Sequence, residues 1–296
     1  MTDTKILGVD VWSGYGTIDW AKVAASGIRF VYVRATGAVG ANGRDSHTAR
    51  NLAGARAAGL AVGVYHVWRH TQDPVTAADA AFEHGEGTGH YVGDLAPALD
   101  FELPAAPVAK PGQNQAALSA KWAAEMLALA PVIVPGMSRA AEAFERRFGR
   151  APTTYSYPFW LLALGAALRA SDLAQLQLWI AQYSNRLPWD LPATLEEIPM
   201  GMRPKIPLPW TSAPVWQYSA EHSRPVPGIP TAPCRAHPDC TAVDRNVFLG
   251  SEADFARFRG MVPVEPAPLL EGGIVHGTHV VDAALAERES DEPARI

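Results

Sequence analysis

Cysteine is almost absent from this 296-residue chain: Cys234 and Cys240 are the only two. That excludes a disulfide-dense scaffold. They flank His237 and Asp239, but the spacing fits no zinc pattern and a second cysteine pair is missing. A local disulfide across this loop, formed outside the cytoplasm, is expected, with two free thiols as the alternative. Charge is sparse as well, at 19% of residues, with a net value of −5 and a pI near 6.0. Without a basic excess, no nucleic-acid partner is expected. Electrostatic docking on anionic membranes or acidic wall polymers is disfavoured for the same reason. No apolar run approaches the roughly 18 residues of a membrane helix, so no membrane insertion is expected. The first residues lack a basic segment followed by an apolar stretch, so no secretory signal is visible and synthesis in the cytoplasm is expected. No internal repeat is present.

What the chain does have is apolar mass, 48% of residues, in short blocks. That is enough for one large α/β barrel or two smaller domains. Eight strand-like runs separate, at 6–11, 30–34, 61–66, 97–102, 153–157, 177–182, 215–218 and 241–247. Helical spacing fills the gaps between the first five, at 17–25 with Thr17 as its cap, 46–58, 76–84 and 114–129, and again at 159–169 after the fifth. Strand alternating with helix marks a parallel α/β sheet. From 184 to 214 the chain is proline-dense with no good helix, and 218–241 reads as loop. The expected fold is therefore an irregular TIM-like barrel. About five β/α units are followed by strands lacking crossover helices, and a regular eightfold barrel is the alternative. A helix at 251–260 closes the barrel, giving a unit at 1–260. Residues 261–296 read as an extension of unknown role, with a short helical stretch at 280–288.

The most informative acids end a strand. Leu95-Ala96-Pro97-Ala98-Leu99 runs into Asp100-Phe101-Glu102 and stops at Leu103-Pro104. Residues two apart on a strand share a face, so both carboxylates enter one small space, where like charges resist joint ionisation. Such a pair suits acid/base work on a glycosidic bond. A surface Asp-x-Glu pair is the plain alternative. Asp10 tips the balance, because Ile6-Leu7-Gly8-Val9-Asp10-Val11 ends another strand in acid. In α/β barrels the chemistry sits at the C-terminal strand ends.

An ordered series of motifs spans the chain: Gly8-Val9-Asp10-Val11, Ile18-Asp19-Trp20, Phe30-Val31-Tyr32-Val33-Arg34-Ala35-Thr36-Gly37 and Gly63-Val64-Tyr65-His66. Leu99-Asp100-Phe101-Glu102, Leu178-Trp179-Ile180-Ala181-Gln182-Tyr183, Val215-Trp216-Gln217-Tyr218-Ser219 and Val243-Asp244-Arg245-Asn246 follow. Over about residues 5–260 this series resembles the family-25 glycoside hydrolases, lysozymes that cut peptidoglycan. The resemblance implies a barrel of the expected kind, bacterial peptidoglycan as partner, and cleavage between N-acetylmuramic acid and N-acetylglucosamine. Glu102 matches the general acid/base and Asp100 its strand partner. Asp10 and Asp244 match further acids of the catalytic floor, and Tyr65 matches an active-site tyrosine. The resemblance also implies retention, with the substrate's 2-acetamido group as nucleophile and Asp100 orienting it. No cofactor or metal is implied. Three departures stand out: Trp12 where the family usually has serine, and apparent insertions at 184–214 and around Cys234 and Cys240. All three would rim the cleft.

Nine tryptophans suit a sugar cleft, although most are expected in the core, as with Trp20 and Trp122 on helical faces and Trp179 in a strand. Trp12, Tyr15, Tyr157 and Trp216 lie near strand ends and, with Tyr183 and Gln217, are the candidate substrate contacts. Asp45 reads as a helix cap, although the resemblance places an acid near the site there. His66 and His70 have no paired ligands, and Asp190 reads as a loop acid. The expected role is that of a phage or prophage endolysin reaching the wall with a holin-type protein. A catalytically silent wall-glycan-binding barrel and a glycosidase for another N-acetylated glycan, such as chitin, are the alternatives.

Overall fold

The structure is a computed structural model. It describes residues 5–37, 43–86, 95–102, 104–183, 191, 197–220, 225–230 and 243–261. The chain divides into two compact units, Met1–Pro263 and Val264–Ile296. The second unit lies outside the described residues, as do Cys234, Cys240 and Asp190.

Eight strands close a barrel in chain order: β1 Ile6–Val11, β2 Ile28–Thr36, β3 Ala61–Val67, β4 Ala98–Asp100, β5 Thr153–Ser156, β6 Leu178–Ala181, β7 Val215–Ser219 and β8 Asp244–Phe248. Neighbours from β1 to β7 are parallel, whereas β8 runs antiparallel to both β7 and β1 and forms the seam. Helices α1 Trp20–Ala25, α2 Thr48–Ala57, α3 Pro74–Glu86 and α4 Gln115–Phe148 fill the first four crossovers. The short pair α5 Pro158–Ala163 and α6 Gly165–Arg169 follows β5. Among the described residues no α-helix joins β6 to β7 or β7 to β8. The barrel is thus five β/α units completed by bare strands.

Alternation along each strand sorts the side chains. Val9, Val11, Val31, Val33, Val62 and Val64 face outward and pack under α1 and α2. Ile6, Phe30, Tyr32, Ala98, Tyr155, Trp179, Val215 and Phe248 fill the interior. Glycine at inward positions makes room for the rings: a Cβ on Gly8 would lie 2.3 Å from the Phe30 ring, and one on Gly63 2.5 Å from that of Tyr32. The final helix, α7 Glu252–Phe258, plugs the bottom, with Phe255 set 5.8 Å from Phe30 and 5.1 Å from Phe248 between ring centroids. Its start carries a full capping box between Ser251 and Asp254. With the bottom plugged, the open end is the one holding the C-termini of β1 to β7.

The main departure from expectation is α4. The spacing ends this helix at 129, before Pro131, yet the helix runs 34 residues through Pro131 and Pro135 to a left-handed Gly149 cap. Both prolines are exposed and, four apart, share the solvent face, where the carbonyls they leave unpaired can meet water. The buried row of Met126, Ala130, Ile133, Val134, Met137, Ala140 and Phe144 continues unbroken past them. By length and composition this helix could cross a membrane, contrary to the reading that no segment could. In the fold, its inner row joins Trp68, Phe101, Trp160 and Leu161 in the barrel's outer core.

Gly8→Ala should destabilise the barrel by about 1–3 kcal/mol, because the added methyl overpacks the fixed Phe30 ring. Urea unfolding would show a lower midpoint at unchanged slope. An unshifted midpoint would mean that the interior yields freely.

Candidate active site

Strand parity aims one set of side chains into the open end. Asp10 ends β1, Arg34 nears the end of β2, Tyr65 and Val67 end β3, and Asp100 and Glu102 stand at β4. Tyr155 comes from β5 with Tyr157 just past its end, Trp179 from β6 with Tyr183 two residues past its end, Gln217 from β7 and Asp244 from β8. With Trp12 they line one open cleft of about 220 Å³.

Asp10 is the most constrained acid. Its Oδ1 accepts hydrogen bonds from Gln217 Nε2 at 2.8 Å and Asn246 Nδ2 at 2.7 Å. Each amide is itself oriented. Gln217 Oε1 accepts the phenols of Tyr155, at 2.9 Å, and Tyr183, while Asn246 Oδ1 accepts the Trp179 indole N–H at 2.8 Å. Burial nonetheless dominates: it pushes the Asp10 pKa up to about 6, with the Glu102 charge adding to the rise and the two amides opposing it. Asp100 is raised well above the usual carboxylate range by burial first, then by Glu102 and Asp10, with Arg34 the opposing influence. Its Oδ1 is buried with no hydrogen-bond partner among the described residues. Glu102 is half-buried and accepts the Tyr157 phenol at Oε2.

A second group of contacts braces the rim. Asp45 is buried, and its Oδ2 accepts the Ser13 backbone N–H at 2.8 Å and meets Arg34 Nε at 3.4 Å. Its Oδ1 accepts the His47 N–H at 2.9 Å. The capping assignment for Asp45 is therefore corrected. His47 is the N-cap of α2, which has no side-chain cap, and Asp45 ties the turn after β1 to the guanidinium. That guanidinium lies 4.4 Å from the centroid of the Trp12 ring, itself 38% exposed at the rim. Tyr15 is buried behind the cleft, where its phenol donates to Asp244 Oδ2 at 3.1 Å and accepts the Asp244 N–H at 3.3 Å.

The four expected acids therefore share the cleft, with Tyr65, Trp12, Tyr157, Tyr183 and Gln217 around them. Trp216 does not. It is 1% exposed, faces outward into the helix-side core, and donates its indole N–H to the Gln182 carbonyl at 2.9 Å. The reason is parity: Trp216 and Gln217 are adjacent on β7 and cannot both face inward. Tyr15, also expected near sugar, supports Asp244 instead. His66 faces the helices, bonded to Thr36 Oγ1 at 2.7 Å and Gln72 Oε1 at 3.3 Å, and burial pushes its pKa down to about 4. Arg34, Tyr155, Trp179 and Asn246 were not singled out as site residues. Counting two residues from Tyr157 and from Asp244 would have found Tyr155 and Asn246.

The sequence model of glycosyl hydrolases family 25 matches residues 9–228, close to three-quarters of the chain. The chain belongs to this family. Two curated relatives agree. The autolytic lysozyme of Clostridium acetobutylicum is 39% identical over 96 residues, 32% of this chain and 28% of that protein. Lysozyme M1 of Streptomyces globisporus is 34% identical over 98 residues, 33% of each. The matched stretches thus span a third or less of those relatives. Among solved structures, the bacterial lysozyme from Streptomyces coelicolor has the same fold, with a TM-score of 0.60 and 22% identity over 87% of this chain and 98% of that one. Asp244 lies beyond the matched span, so its place in the cleft rests on the geometry of β8.

Asp10 also makes stability depend on pH. Its folded pKa of about 6 exceeds its ordinary 3.8, so the fold is favoured when Asp10 is protonated. That contribution is complete below about pH 4 and is lost as pH rises through 6. Asp10→Asn should keep the oxygen that receives both amides while removing the buried charge. The variant should melt higher than wild type at pH 8 and about equally at pH 4. A uniform drop in melting temperature across that range would contradict this account.

Proposed function

We propose that the chain is a peptidoglycan hydrolase cleaving the β-1,4 bond from N-acetylmuramic acid to N-acetylglucosamine, within a catalytic unit at 1–260. The observation that carries this reading is the convergence of Asp100 and Glu102, two apart at one strand end, with Asp10 and Asp244 in a tyrosine-lined cleft of a family-25 barrel. Four carboxylates share the cleft with one guanidinium. A cluster of that sign favours the positive charge that develops at an anomeric carbon.

The residues fit distinct roles. Glu102, half-buried at the cleft wall, protonates the leaving oxygen and later takes a proton from the incoming water. Asp100 presents a buried, unpartnered oxygen that suits the N–H of a substrate 2-acetamido group. In this reading the acetamido oxygen attacks the anomeric carbon from within the substrate, Asp100 stabilises the charge gathering on the acetamido nitrogen, and configuration is retained. Asp10, fixed by its two amides, and Asp244, fixed by Tyr15, shape the floor. Trp12 and the tyrosines supply flat faces for the sugar rings. As the biological setting we propose a phage or prophage endolysin that reaches the wall with a holin-type protein. Expression alone and with a holin, followed by culture turbidity, tests it, since lysis in both cases or in neither would argue for another setting.

Digestion of purified peptidoglycan, read by mass spectrometry, should give new reducing-end muramic acid. Reducing-end glucosamine would point to another glycosidase specificity, and binding without turnover to a silent glycan-binding barrel. Glu102→Gln should fold normally and lose on the order of 10²–10⁴-fold in rate, the usual contribution of a general acid/base. Activity within a few-fold of wild type would remove Glu102 from that role.

The nucleophile is tested separately. If the acetamido group attacks, a mechanism-based fluorosugar leaves no mass adduct on the protein, and Asp100→Asn is more damaging than Asp45→Asn. A glycosyl adduct mapped to Asp100 would make the carboxylate the nucleophile instead.

A further inference from the structure

Glu102 and Tyr157 come from adjacent strand ends, β4 and β5, and the phenol donates its hydrogen bond to Glu102 Oε2. The Tyr157 ring is held in place. Its centroid lies 5.2 Å from that of Phe159 with the planes within 1°, and Tyr155 meets it edge-on at 6.1 Å. Phe159 in turn packs against Trp122 of α4 at 5.8 Å. The phenol is thus anchored through Phe159 to the helix layer and through Tyr155 to the barrel interior, whereas Glu102 stands one residue beyond the peptide that pins its strand. There, the Phe101 N–H donates to the Tyr155 carbonyl at 2.9 Å, and Ser156 Oγ donates to the Phe101 carbonyl at 2.6 Å.

We propose that Tyr157 is a positioning residue for the general acid. By occupying Oε2 it turns Oε1 of Glu102 to the cleft and makes Oε1 the atom that donates its proton to the leaving oxygen. The phenol exchanges no proton itself. Burial, then the charges of Glu102 and Asp100, push its pKa up, so it remains a donor throughout the working range. The inference rests on the muramidase reading of this cleft and adds to it a second role for a side chain expected to touch sugar.

Tyr157→Phe keeps the ring and its stacking and removes only the donor. Circular dichroism and melting temperature should match wild type. On soluble glycan strands kcat should fall about 10-fold, in line with a partly misplaced general acid, with KM within about twofold. The 4-nitrophenyl β-glycoside of N-acetylglucosaminyl-N-acetylmuramic acid has a leaving group that needs little protonation. On that substrate the kcat/KM loss should shrink to within about threefold. A tenfold loss on both substrates, a raised KM at unchanged kcat, or wild-type kinetics would each overturn the positioning role. Wild-type protein that turns over neither substrate would remove the muramidase reading and the inference together. An active wild type with an unaltered Tyr157→Phe variant removes the inference alone.

Discussion

The clamp on Asp10 is the interaction on which both the barrel and the cleft depend. Its three members sit on β1, β7 and β8, the strands that meet at the antiparallel seam. Gln217 and Asn246 are direct register partners, and Asn246 also pairs with Gly8 of β1. Closing the seam therefore delivers two amide donors to one buried carboxylate. A slip of one residue on β8 would turn Asp244 and Asn246 outward and leave Asp10 desolvated without partners. Register in the last strand and formation of the site are the same event. The antiparallel strand also brings Asp244 to the open end, because β8 starts where the parallel strands finish.

Electrostatically the cleft is costly. Burial raises both Asp10 and Asp100, each sensing Glu102. Arg34 is the nearby opposing charge, and Asp45 holds it in place while also fixing the turn that carries Trp12. Arg34 is the one guanidinium beside four carboxyl groups in the cleft lining, and burial favours the protonated forms of Asp10 and Asp100. Gathering these groups in one buried place costs stability, as is common at functional sites. The aromatic ring of donors is the compensating design. Tyr155, Tyr183 and Trp179 orient the amides, so the dipoles around Asp10 are fixed in advance.

Much of this was legible in the sequence because it is periodic. The strand count, the irregular closure and the pairing of Asp100 with Glu102 follow from apolar blocks and alternation. What escaped has physical causes. The proline rule failed in α4 because Pro131 and Pro135 fall on the wet face, and tertiary packing of the opposite row outweighs two lost backbone bonds. Trp216 was misplaced because its residue type was weighed above its parity beside Gln217. Asp45 was misread because capping is a local signal, whereas its Oδ2 reaches Ser13 and Arg34, 32 and 11 residues away. Asn246 and Tyr15 act through partners more than two hundred residues away, and no local window carries that pairing.

The depth at which the chemistry sits follows from the same packing that closes the bottom. Phe30 and Tyr32 fill the bore because Gly8 and Gly63 leave room for them, and Tyr32 stacks on Trp179 at 4.6 Å. Trp179 then reaches up through its indole N–H to Asn246, and so to Asp10. A continuous column of rings thus runs from the α7 plug to the first polar layer. Among the described residues these rings fill the bore between the α7 plug and the carboxylates. A smaller side chain in that column would widen the bore beneath Asp10 and lower the energetic penalty that raises its pKa. The apolar interior therefore sets the charge state of the floor as directly as the hydrogen bonds do.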